Sequence, residues 1–82
     1  MSTFPDYVQK ELVKARAKHP RAFNSMHEGY AIILEEIEEL KLEIFKKQEN
    51  RNRLDTLTEL VQIGAMVQRL AEDVVIGEKF RK

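Results

Sequence analysis

The residues best placed to do chemistry in this chain are carboxylates. Glu35-Glu36-Ile37-Glu38-Glu39-Leu40 is followed one turn later by Glu43. On a helix at about 100° per residue, with Ile37 at zero, Glu36, Glu39 and Glu43 fall together roughly 100° to 160° to one side of an apolar seam. Gly29 and Ile32 continue that stripe toward the N-terminus. Glu38 falls on the opposite flank, and Glu35 lies at the back beside Glu39. Further along, Asp55, Glu59, Gln62, Met66, Arg69 and Asp73 form a second stripe, which also borders an apolar face. A short turn favours antiparallel packing of the two segments. If they meet through their seams, the acidic stripes face each other. Carboxylates converging on one spot repel unless positive charge sits between them. Hard oxygen ligands suit Mg²⁺ or Mn²⁺, and such an ion can grip phosphates and activate water. The same spacing also serves a solvated flank, because Glu is a good helix former. Lys47, four residues after Glu43, fits an i,i+4 ion pair. A helical wheel does not separate these two uses.

Three helices must position these groups. The first is predicted over about 4–18, with Thr3 and Asp6 spaced as a capping box and Pro5 tolerated in the first turn. His19-Pro20 ends it, since the residue before proline avoids helical angles. The second is predicted over about 26–47, capped by Ser25 with Glu28 completing a box. Its seam is Met26, Tyr30, Ile33, Leu34, Ile37, Leu40, Ile44 and Phe45. The third is predicted over about 53–75, with Asn52 and Asp55 at its start and Gly77 as its stop. Its apolar arc is too wide for one neighbour. Leu60, Ile63, Val67, Leu70 and Val74 make one stripe, and Leu54, Leu57, Val61, Gly64, Ala71 and Val75 a second. Either the first helix covers the second stripe or another copy of the chain does. No run reads as a strand. The fold class is all-α, one domain over residues 1–82, a three-helix chain forming a bundle completed by oligomerisation.

Composition narrows the partners. The chain has 82 residues, too few for a generous core, and no cysteine, which excludes disulfides and thiolate metal sites. Chains of this size usually gain stability from a metal or a partner. Fourteen basic residues balance fourteen acidic ones. Without a basic surplus, nucleic acid is not expected as a partner. The longest strictly aliphatic run, Ala31-Ile32-Ile33-Leu34, is far too short for a membrane span. No secretory signal is visible at the N-terminus, so a cytoplasmic location is expected. Di-iron bundles use Glu-x-x-His pairs, and neither acidic cluster has a His nearby.

Glu-Glu-x-x-Glu-Leu in one helix, followed about twenty residues later by Glu-x-x-Asp in another, marks the MazG-like all-α nucleoside triphosphate pyrophosphohydrolases. Glu35-Glu36-Ile37-Glu38-Glu39-Leu40 resembles the first half, and Glu59-Leu60-Val61-Gln62 resembles the second. The lead-in His27-Glu28-Gly29-Tyr30-Ala31-Ile32-Ile33-Leu34 is similar to that of small phage and prophage members. The resemblance covers roughly residues 25–73. It implies a MazG-like helical bundle assembled as a homodimer or homotetramer. It also implies Mg²⁺-dependent hydrolysis of a (d)NTP to the monophosphate and pyrophosphate, with Mn²⁺ as a possible substitute. By position, Glu36, Glu39, Glu59 and Gln62 are its metal ligands, and Glu35 is a further ligand or a base that orients water. Gln62 stands where the family has Asp, and it offers an oxygen without a charge. Asp55, one turn from Glu59, is placed to compensate in part. Larger members carry phosphate-binding residues in a segment beyond the third helix, where this chain has Lys79, Arg81 and Lys82. Asp55, Arg69 and Lys79 are the remaining candidates for substrate contact. The alternative is a MazG-like binding or assembly module with weakened catalysis.

Other residues carry less. His27 reads as a helix-start or packing residue and His19 as a turn residue. Arg69 either binds phosphate or neutralises the acids around it. Gly29 leaves room for a base or a helix, and Gly64 for tight helix packing. Phe4, Tyr7 and Phe23 suit a core or a stacked base.

Overall fold

The computed structural model describes residues 2–46, 49 and 52–77, and among them there are helices and no strand. Helix α1 spans Phe4–Lys18. Its start is the expected box: Thr3 N–H donates to the Asp6 carboxylate at 3.0 Å, and Asp6 N–H donates to the Thr3 hydroxyl at 3.5 Å. Together these satisfy amides that the first turn leaves without helical partners. Helix α2 spans Met26–Ile44. The Ser25 hydroxyl accepts from Glu28 N–H at 3.1 Å. The Glu28 carboxylate reaches past the cap, however, and accepts from Asn24 N–H at 2.8 Å. Helix α3 spans Arg53–Leu70, capped by Asn52, whose side chain accepts from Leu54 N–H at 2.8 Å.

The helix ends differ from expectation. Helix α2 stops at Ile44, where Phe45 leaves helical angles (φ −88°, ψ 6°). Lys46 folds back to Glu43 at 2.9 Å and so places a cation at the helix C-terminus. Lys47, the expected partner of Glu43, lies outside the described residues. Helix α3 does not close at Val75. It widens into a π-helical segment over Ala71–Ile76, and Gly77 keeps right-handed helical angles (φ −57°, ψ −45°).

Helix α3 is the centre of the fold. Val8 meets Gly64, Gln9 bonds Gln68 at 2.6 Å and Arg16 bonds Asp73 at 2.8 Å, so α1 runs parallel to α3. Gly29 meets Leu70, and Glu39 gathers with Glu59, so α2 runs antiparallel to it. Two glycines set these approaches. A Cβ on Gly29 would run into the Leu70 side chain, and one on Gly64 would lie 2.9 Å from Val8 Cγ2. The core is Val8 and Leu12 from α1 with Ala65 and Met66 from α3, flanked by Ala15, Phe23, Ile32 and Ile33.

The packing corrects one expectation. Helices α2 and α3 do not meet through the middle of the apolar seam of α2 but along its edge, where Ile33 and Leu40 adjoin the carboxylate stripe. The buried residues of α2 are Gly29 and Glu43, with Ile32, Ile33, Glu36 and Leu40 half-buried. Met26, Tyr30, Leu34, Ile37 and Ile44 remain 40–64% exposed. The small Gly29 lets α2 approach α3 along the carboxylate stripe, leaving most of the seam open. On α3, helix α1 covers the stripe of Val61 and Gly64, while Leu60 and Val67 stay exposed. On both wheels the line of contact lies about 90° to the same side of the open stripe. Two antiparallel helices so arranged turn their open stripes to one side of the molecule. The chain therefore has an apolar face on α2 and α3, and the core and a cleft lie on the other side.

Candidate metal centre

Each carboxylate of the centre is placed by a helix turn. Glu36 and Glu39 are one turn apart on α2, and Glu59 reaches them from the antiparallel α3. One oxygen from each lies within 4.8 Å of the others. Glu36 and Glu59 are half-buried, and Glu39 is exposed. The Oε2 atoms of Glu36 and Glu59 are shielded from solvent and have no hydrogen-bond partner among the described residues. A buried carboxylate oxygen without a partner costs free energy.

The electrostatics point the same way. Burial first, then repulsion from Glu39 and Glu59, pushes the Glu36 carboxyl up to about 7. Burial first, then Glu39, also holds the Glu59 carboxyl above its ordinary value, with Glu43 and Asp55 adding to the effect. A positive charge among the three would reverse these shifts, since an opposite charge favours the ionised form. Three oxygen donors on two rigid helices, two of them unpaired, fit a hard divalent cation. The orphaned oxygens are the structural reason for this fit.

A cleft of about 610 Å³ opens beside the cluster on the side away from the apolar face. Ile32, Glu35 and Glu36 of α2 form one wall. Pro20 and Phe23 of the α1–α2 loop form another, and Gln62, Met66 and Arg69 of α3 form the floor. Glu35 is exposed in this cleft, next to Glu36. Gln62 shares the cleft with Glu36, one turn beyond Glu59 on α3.

The remaining expected residues divide. Asp55 is exposed near the α2–α3 turn and acts on Glu59 and Lys46 through its charge. Arg69 lies in the floor of the cleft but is already engaged. Its Nη2 donates to the carbonyls of His19 and Arg21 at 2.7 and 2.6 Å. Its guanidinium stacks over Phe23 at 4.6 Å. Lys79 lies outside the described residues. Gly29 is filled by Leu70 of the packed helix, and His27 is exposed.

Sequence reasoning missed the network around Asp73. Arg16 bonds Asp73 at 2.8 Å and Glu72 at 2.9 Å, and Arg69 lies 3.5 Å from Asp73. The i,i+4 spacing of Arg69 and Asp73 was the available signal. Arg16 is too distant in sequence for any pattern to reveal. No helix of the described residues is long and apolar enough to cross a membrane. No protein-family model, curated protein or solved structure matches the chain.

Proposed function

We propose that this chain is a Mg²⁺-dependent nucleoside triphosphate pyrophosphohydrolase, converting a (d)NTP to the monophosphate and pyrophosphate. The observation that carries the reading is the triad itself, three carboxylates of two helices converging with orphaned oxygens beside a cleft. Glu36, Glu39 and Glu59 would hold the ion, with Gln62 as a neutral fourth donor. The ion's contribution when bound is to neutralise phosphate charge and acidify water. Glu35, exposed in the cleft, accepts the proton of the attacking water or orients it. The apolar wall at Ile32 and Met66 offers a surface for the base. The resemblance to MazG-like enzymes of small phage and prophage type supports the substrate class.

Assembly belongs to the same reading. The open apolar face of α2 and α3 suits a second copy, giving a homodimer or homotetramer with its clefts turned outward. A cytoplasmic location fits a nucleotide substrate. Incubation with a panel of (d)NTPs and Mg²⁺ or Mn²⁺ tests the activity. Pyrophosphate release from at least one of them is expected, and none from any, at high protein concentration, would sink the reading.

One observation favours a second reading, a binding or assembly module of the same fold with weakened chemistry. Gln62 brings no charge to the cleft where an Asp would complete the acidic set. Gln62→Asp separates the two. Activity appearing only in the variant favours the module; activity already present in the native chain favours the enzyme.

A further inference from the structure

The α1–α2 loop has little of its own to hold it. Among the described residues, positions 20–23 make no backbone–backbone hydrogen bond. Pro20 has no N–H to offer. Besides the packing of Phe23 against the core, the loop's polar tie is a side chain about fifty positions away. Arg69, whose side chain is 5% exposed, donates from Nη2 to the His19 carbonyl at 2.7 Å and the Arg21 carbonyl at 2.6 Å. Its guanidinium covers the Phe23 ring at 4.6 Å. Asp73 balances its charge at 3.5 Å, and Arg16 in turn fixes Asp73 at 2.8 Å. The loop so held is the wall of the cleft that faces Glu35 and Glu36 across the floor.

We propose that Arg69 is a positioning residue that clamps residues 19–23 into the cleft wall, so that the chain's hold on a nucleotide depends on it and its hold on a metal ion does not. The nucleotide part rests on the function proposed above, while the clamp rests on the geometry alone. The hydrogen bonds explain the division. The donors of Arg69 end on loop carbonyls, and the triad is built from α2 and α3 without the loop. One of the clamped carbonyls, that of Arg21, is also the group a trypsin-like protease must attack to cut after Arg21. Loss of the clamp therefore exposes a bond that can be read directly.

Arg69→Met is the variant of choice because it leaves Asp73 paired with Arg16. The freed carbonyls belong to exposed residues and can take water. The expected result is cleavage after Arg21 about tenfold faster than in the native chain, the effect of losing one to two charge-assisted hydrogen bonds. Cleavage after Lys41, in the last turn of α2 and remote from Arg69 in the sequence, should stay the same. KM for the nucleotide should rise about tenfold while kcat holds within about threefold. Mn²⁺ binding should be unchanged, and Arg69→Lys should recover part of the protection. Equal acceleration at Arg21 and Lys41 would mean that Arg69 supports the fold generally, and would overturn the proposal. So would unchanged protection at Arg21 in a folded variant. A fall in kcat at constant KM would make Arg69 a catalytic residue instead. If Arg69→Met does not fold, Arg69→Lys decides by the same readouts. A native chain that hydrolyses no nucleotide removes the functional reading, and the protease comparison still judges the clamp.

Discussion

Two acidic clusters in this small molecule have opposite electrostatic settings. Near the end of α3, Glu72 and Asp73 are matched by Arg16 at 2.9 and 2.8 Å, with Arg69 3.5 Å from Asp73 and Gln68 donating to Glu72 at 2.9 Å. Between α2 and α3, Glu36, Glu39 and Glu59 gather within 4.8 Å with no ion pair to a basic group among the described residues, where two of their buried oxygens also lack a hydrogen-bond partner. The first cluster is an ion-pair network that ties α1 to the end of α3, although Arg69 Nε and Asp73 Oδ2 are also buried without a hydrogen bond among the described residues. The second has no such partner among the described residues, and burial first, then repulsion from Glu39 and Glu59, pushes its Glu36 carboxyl up to about 7. Acidic residues on helices are therefore not equivalent here. A cation bound at the triad would offset the repulsion among its carboxylates.

The comparison can be broken first by neutralising one acid in each cluster. Glu36→Gln is expected to lower hydrolysis by at least about a hundredfold by removing a ligand, an effect of the size seen when metal-site residues are lost. It should also raise the stability of the metal-free protein by on the order of 1 kcal/mol, after allowing for solvent screening of the repulsion. Asp73→Asn should do the reverse. The kcat should hold within about threefold, and stability should fall by about 2 kcal/mol as a charge-assisted bond to Arg16 weakens. Pyrophosphate assays and urea unfolding on the two variants check both arms. A triad variant that destabilises the metal-free protein would place the triad among structural ion networks.

The pH dependence sharpens the same contrast. Glu36 and Glu59 have folded-state values above their ordinary carboxylate ones, so the native state binds more protons than the unfolded state. The Glu36 contribution is fully present below pH 4.5 and is lost as pH rises through about 7, and Glu59, also raised, adds a contribution of the same sign. The metal-free protein should accordingly melt at a lower temperature at pH 8 than at pH 5.5. Mn²⁺ should narrow that gap, and its affinity should increase through the same window as the carboxyls ionise. Thermal melts with and without Mn²⁺ test this, and a metal-free melting temperature that climbs between pH 5.5 and 8 contradicts it.

The smallest expected effect lies on the apolar face. Ile37→Glu and Val67→Glu should shift the chain toward monomer in sedimentation, while Mn²⁺ binding per chain changes little. A monomeric native chain would leave the 43% exposure of Ile37 without an occupant.

Much of this was legible in the sequence. The caps at Thr3, Ser25 and Asn52 are local signals read within four residues, and all three mark real helix starts. Gly64 was legible as a close-packing site because it interrupts an apolar arc. Helical spacing made legible two acidic stripes able to face each other, and the resemblance to the MazG-like pattern singled out Glu36, Glu39 and Glu59 within them. The face by which α2 docks was not. The apolar seam and the carboxylate stripe are adjacent on the wheel, and the choice between them depends on how closely Gly29 lets α3 approach. The roles of Arg16 and Arg69 were hidden for a different reason. Apart from the i,i+4 pair of Arg69 and Asp73, their partners are carbonyls and carboxylates about fifty positions away, and no local pattern encodes those. The π-helical segment over Ala71–Ile76 was likewise invisible, since its residues suit an ordinary helix equally well.

The central claim is that the triad is a divalent-cation site, and the most direct measurement is anomalous scattering from crystals grown with Mn²⁺. The account predicts a manganese peak in contact with carboxylate oxygens of Glu36, Glu39 and Glu59 together. Crystals with no peak there, or with manganese only on exposed acids such as Glu35 and Glu38, would contradict it.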